Sequence, residues 1–97
     1  MGHDITAYRR ADKELETEVA YLRRGAFNPL NRVIYEALNC QEANGGCSGY
    51  GVVIEFSRNQ LIHALVQVKG GEEVGPEREF LRKCIGAGED GVRILFG

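Results

Sequence analysis

No tryptophan occurs in this sequence; methionine appears once, proline and histidine twice each, and cysteine three times. Each scarcity removes a class of protein. Two histidines cannot build a histidine-rich metal centre, and the cysteines lack the two-residue gap of zinc knuckles and thioredoxin-like pairs, so no metal or cofactor is expected. Three is an odd number for a disulfide framework, and Met1–Thr6 has no charged start followed by an apolar stretch. Free thiols in a reducing cytoplasm are therefore the expectation. No apolar run approaches the roughly 20 residues that cross a bilayer, so no membrane is expected. Excess charge is missing too: 12 Lys and Arg against 14 Asp and Glu leave a net charge of -2. That balance supplies no long-range attraction to phosphate backbones and speaks against nucleic acid as a partner.

What is present is glycine, 13 residues of it, and a chain of 97 residues that suits a single domain with a modest core. Asp4–Arg10 and Glu18–Arg24 carry Ile, Thr, Tyr, Val and Leu in strand-like density, and the polar stretch between them is long enough to reverse direction, which predicts an antiparallel hairpin. With Arg9 opposite Glu18, Ile5, Ala7, Ala20 and Leu22 share one face and Tyr8, Val19 and Tyr21 the other. Asn28-Pro29 then starts a helix, asparagine as cap and proline where its missing N–H costs nothing. Leu30, Val33, Ile34, Ala37 and Leu38 form its inner stripe, Asn31, Arg32 and Glu36 face water, and the helix should end near Asn39.

Beyond a glycine-rich stretch, Gly51–Phe56 is expected to be a strand buried on both faces, because it is β-branched and does not alternate. Ser57 and Gln60 make a capping-box pattern that opens a second helix over about Arg58–Val68. Its inner stripe is Leu61, Ala64, Leu65 and Val68, widened by Ile62, with His63 turned to the far side. A third helix opens at Gly75-Pro76-Glu77, buries Phe80, Leu81, Cys84 and Ile85, and ends at Gly86; Val92–Phe96 forms the last strand. The order β-β-α-β-α-α-β predicts one α+β domain over residues 1–97, a two-layer sandwich with about four strands in a mixed or antiparallel sheet and the helices on one face.

No complete catalytic constellation can be assembled from this order. Cys84 lies on an apolar stripe and reads as a small buried hydrophobe. The carboxylates of Asp4, Glu55, Glu77 and Glu79 occupy ordinary strand-end and first-turn positions. A small-ligand site or thiol enzyme would centre on the Gly-rich loop 44–51 and draw on Asn44, Cys47, Tyr50 and His3, although the glycines precede a strand and not a helix, the wrong order for a phosphate cradle. Arg9-Arg10 and Arg23-Arg24 suggest a third use, an anion or nucleic-acid patch if the two pairs meet at one end of the hairpin. The favoured expectation is a non-enzymatic interaction or binding module acting as a homo-oligomer, a dimer, with room for another protein partner. Tyr8, Tyr21, Arg9 and Arg23 on the hairpin would lie at its interface, because one sheet face is left without helices.

Overall fold

The computed structural model describes residues 2–25, 28–40, 51–87 and 90–97. Strands β1 (Gly2–Arg9), β2 (Glu18–Gly25), β3 (Val52–Phe56) and β4 (Val92–Phe96) alternate with helices α1 (Asn31–Ala37), α2 (Arg58–Gln67) and α3 (Gly75–Gly86) in the expected order. A short 3-10 turn, Glu72–Val74, precedes α3 and buries Val74. The strands form one sheet in the order β2-β1-β4-β3, and every neighbouring pair is antiparallel.

Side-chain alternation divides the sheet into two unlike faces. Ile5, Ala7, Ala20, Leu22, Val92, Ile94 and Phe96 point to one side, where they join Ile34, Leu61, Phe80, Leu81 and Cys84 from the three helices in a single buried cluster. Among the described residues no helix lies over the opposite side. In the hairpin Ile5 pairs with Leu22 and Ala7 with Ala20, as expected, but Glu18 meets Tyr8 and not Arg9. A bulge after Ala7 leaves Val19 without an opposite number and advances the register by one residue there.

Helix α1 starts later than the proline suggests. The Asn28 side chain accepts from the Leu30 N–H at 2.9 Å, and the N–H groups of Asn31, Arg32 and Val33 each bond three residues back, so Pro29 and Leu30 form a tight turn before the α-helical ladder begins. Asn31, expected to face water, is buried: its amide nitrogen donates to the Gly25 carbonyl at 2.8 Å and ties α1 to the end of β2. The helix ends at Asn39, which adopts φ 54. Asn39 N–H then bonds Glu36 O and Cys40 N–H bonds Tyr35 O, the paired closure of a Schellman motif with asparagine in the usual glycine position.

Strand β3 departs from its expectation as well. It is an edge strand with one wet face: Val53 is 40% exposed and Glu55 is exposed, while only Val52, Ile54 and Phe56 turn toward the core. The central place belongs to β4, which has strands on both sides. Helix α2 carries the full capping box, Gln60 N–H to Ser57 Oγ at 3.2 Å and Ser57 N–H to Gln60 Oε1 at 2.7 Å. Leu61, Ala64 and Val68 are buried as the stripe requires, but Ile62 is exposed rather than widening it, and Val66 beside it is 73% exposed.

Candidate functional site

The uncovered face of the sheet is built from the alternate residues of all four strands. Register places Tyr21, Thr6, Leu95 and Val53 in one row across β2, β1, β4 and β3. This row is mainly apolar, and its two ends are the most open, Tyr21 at 49% and Val53 at 40% exposure. Charged rows flank it. On one side Arg23 lies across from Asp4, with Arg23 Nη1 3.5 Å from Asp4 Oδ1 and the Tyr21 hydroxyl donating to the same oxygen at 2.5 Å. That bond to Asp4 is the main reason the Tyr21 phenol holds its proton to higher pH than usual. On the other side Tyr8, Arg93 and Glu55 are in register. Arg93 Nη2 sits 2.6 Å and Arg10 Nε 3.3 Å from the two Glu55 oxygens. Of the expected interface residues, Tyr21, Tyr8 and Arg23 belong to this surface, whereas Arg9, exposed at the end of β1, stands in register with core-facing Val92 and so lies on the other side of the sheet.

The two arginine pairs do not meet. An antiparallel hairpin puts the last residues of its two strands at opposite ends, so Arg23 and Arg24 stand across from Asp4 and His3 while Arg9 and Arg10 lie at the turn end. Three of the four are also occupied: Arg10 by Glu55, Arg23 by Asp4, and Arg24 by Glu77. A shared cationic patch is therefore absent from the hairpin. The same contacts account for the four strand-end and first-turn carboxylates, since Asp4, Glu55 and Glu77 each face an arginine and Glu79 lies 4.0 Å from Arg82.

His3 is enclosed in the core and does not reach solvent. Its Nδ1 lies 2.6 Å from the main-chain oxygen of Gly97, which can only accept, so Nδ1 carries the proton. Nε2, at the other end of the ring, lies 2.6 Å from the Tyr35 hydroxyl. The two rings stack with centroids 5.6 Å apart, and Tyr35 packs in turn on Phe96 at 4.8 Å. This removes His3 from any solvent-facing ligand site and makes it a polar junction between β1, α1 and the end of β4. Nothing in the spacing of the sequence pairs residues 3 and 35; only the packing of α1 across the end of the sheet does so. The other three residues of the loop-centred site, Asn44, Cys47 and Tyr50, lie outside the described residues.

A groove of about 720 Å³ opens beside β3. Its floor is Ala37, Leu38, Ile54 and Phe56, and its rim carries Glu36 from α1, Asn39 just beyond that helix, and Asn59, His63 and Gln67 from α2. Cys40 lines it half-buried, and desolvation pushes that thiol up to about 11. Cys84, sealed under α3, is pushed up to about 12 by the same cause. At neutral pH neither sulfur is a thiolate, so neither is an activated nucleophile. Among the described residues no group of three or more His, Cys, Asp and Glu side chains is arranged to hold a metal ion, and no helix is long and apolar enough to cross a membrane.

The two thiols set a pH response. Both ionise later in the folded chain than in the unfolded one, so the stability they contribute is complete below the ordinary value of 9.0 and is lost as pH rises toward about 11 and about 12. Melting temperature is expected to fall across this alkaline window, and Cys84→Ala is expected to flatten part of the slope; an alkaline slope identical in the variant is the contrary result. In the same protein at neutral pH, iodoacetamide is expected to leave Cys84 unmodified until the chain unfolds.

No protein-family model, no curated protein and no solved structure matches the chain.

Proposed function

We propose that the protein is a non-enzymatic interaction module that works as a homodimer through the open face of its sheet. The observation that carries this reading is the mainly apolar row Tyr21, Thr6, Leu95 and Val53, which crosses all four strands on the side that no helix covers among the described residues. Two-fold pairing of such a face sets row against row and brings the Arg23–Asp4 and Arg93–Glu55 pairs to the rim, where charges give register more than affinity. A cytoplasmic setting agrees with Cys40 and Cys84 being free thiols. The conversion of a thiol into a catalyst finds no support in these positions, because His3 is committed to Tyr35 and Gly97.

The face is small. Two strands about 27 Å long and two about 17 Å long, spaced by about 4.8 Å, project to about 420 Å², against about 800 Å² per partner in a standard stable interface. The dimer is therefore expected to dissociate on dilution. Size-exclusion chromatography with light scattering tests it: the mass should climb from that of one chain toward twice 10.7 kDa as concentration rises. Leu95→Lys, which places a charge in the middle of the row, should hold the protein as a single chain without lowering its melting temperature. A wild-type mass that stays at one chain up to about 1 mM would overturn the reading, and so would a dimer indifferent to Leu95→Lys.

A further inference from the structure

The groove beside β3 is a second surface, separate from the open face. Three consecutive residues of an edge strand, Ile54, Glu55 and Phe56, line it, which means that the main-chain edge of β3 forms one of its walls. Among the described residues no strand pairs with that edge, so alternate N–H and C=O groups along it face the groove. The opposite wall is rich in carboxamides: Asn39 at the left-handed turn that ends α1, and Asn59 and Gln67 on α2. Carboxamides and a strand edge offer the same chemistry, paired donors and acceptors of the kind a peptide main chain satisfies. Between them the floor of Ala37, Leu38, Ile54 and Phe56 is apolar.

Charge narrows the choice further. Among the described residues no lysine or arginine lines the groove, and of the two carboxylates there Glu55 is already held by Arg10 and Arg93. Glu36 is exposed and makes no ion pair among the described residues. An incoming segment therefore meets one unneutralised negative charge and no positive one. A strand added along β3 would match its five residues, about 17 Å.

We propose that the groove receives an extended peptide segment of a protein partner, which adds as a further strand along the outer edge of β3, buries alternate apolar side chains on the floor and sets a basic side chain against Glu36. Main-chain bonds supply affinity in this mode, and the alternate side chains supply choice. Cys40 contributes to it only as protonated, apolar lining.

The test is a titration of the full nitrogen-15-labelled chain with the capped peptide Lys-Val-Thr-Val-Thr-Val-Lys. Saturable shifts are expected at the amides of Ala37, Ile54, Phe56 and Asn59, with Thr6 and Tyr21 unmoved. Two isomers of the probe, N-methylated on one or the other set of alternate residues, separate strand pairing from simple groove filling. One should lose about tenfold or more in affinity while the other stays within about threefold of the parent, because only one edge of an added strand faces β3. Exchanging the lysines for glutamates should weaken binding about threefold or more, and Glu36→Gln should abolish that difference.

No saturation below about 2 mM overturns the proposal, as do two N-methyl isomers that bind alike. Shifts at Ile54 and Phe56 that grow with protein concentration alone give the edge to a second copy and also overturn it, as does a strand pairing of residues 41–50 with β3 that persists at saturating peptide. The open-face dimer is read separately, at Tyr21 and Leu95 and in its loss with Leu95→Lys, because a second copy on the β3 edge would raise the measured mass as well.

Discussion

Gly91→Ala is expected to destabilise the fold by at least about 3 kcal/mol, visible as a fall in the urea midpoint with little change in slope. Gly91 opens β4 at φ +109, a conformation that side chains rarely adopt, and an added Cβ would stand 2.0 Å from the Phe56 carbonyl oxygen and 2.9 Å from Ser57 Cα. Both obstacles are backbone. Phe56 is held in register against Val92 in β3–β4, and Ser57 is the cap of α2, so neither can withdraw without giving up hydrogen bonds. Gly86→Ala is the matched control: at the last residue of α3 nothing among the described residues stands within 4 Å of a new Cβ. That change should be neutral or stabilising by up to about 0.5 kcal/mol. Equal effects at the two positions would contradict the close approach of β4 to the β3–α2 corner.

Breaking the Arg24–Glu77 pair is the second large effect. Arg24 lies on the core-facing side of β2, in step with Ala20 and Leu22, and reaches under α3 to a carboxylate that is fully buried. The contact is bidentate, Nε to Oε2 at 3.0 Å and Nη2 to Oε1 at 2.7 Å, and Nη2 also donates to the Glu73 carbonyl at 2.7 Å. The bond to Glu77 holds the Arg24 guanidinium above its usual range, against the opposing pull of desolvation. Arg24→Met leaves a buried carboxylate without its cation and is expected to cost about 3–5 kcal/mol. Glu77→Leu alone strands the arginine, which can still turn partly toward water, so its cost should be smaller. The double variant should recover much of the loss, since two apolar groups in place of a buried ion pair are often close to neutral. Single variants that each cost under about 1 kcal/mol would mean that the pair behaves as an exposed one.

These residues also mark where the sequence is legible and where it is not. The helical stripes of α2 and α3, the Ser57–Gln60 box and the alternation of Val92, Ile94 and Phe96 are local patterns, and local physics decides them. Glu77 looks the same in sequence as any acid in a first helical turn. It is buried because Arg24 lies 53 positions earlier on the strand beneath it, and strand-to-helix packing has no short-range signature. His3 and Tyr35 meet for the same kind of reason. The run Val52-Val53-Ile54 misled in the opposite direction: β-branched residues favour any strand, and only the order of strands decides whether that strand is central or at an edge. At the candidate site, the open face follows from counting alternate residues, whereas the groove depends on how the end of α1 and the first turns of α2 are set beside β3.

The order of the strands has a consequence for the time course of folding. The two central strands are β1 and β4, the first and last in the chain, and the contact between His3 and Gly97 closes 94 positions. Among the described residues β3 has no strand neighbour except β4, and the β1–β2 hairpin is by itself a two-stranded ribbon of marginal stability. A chain leaving the ribosome therefore cannot complete its sheet until β4 has emerged, and until then its edges stay open to other chains. Such long-range closure is entropically costly at the transition state. Folding should be slow for a protein of this size and should depend on β4 as a whole, so that a chain cut before Val92 yields an aggregating polypeptide and not a smaller folded domain.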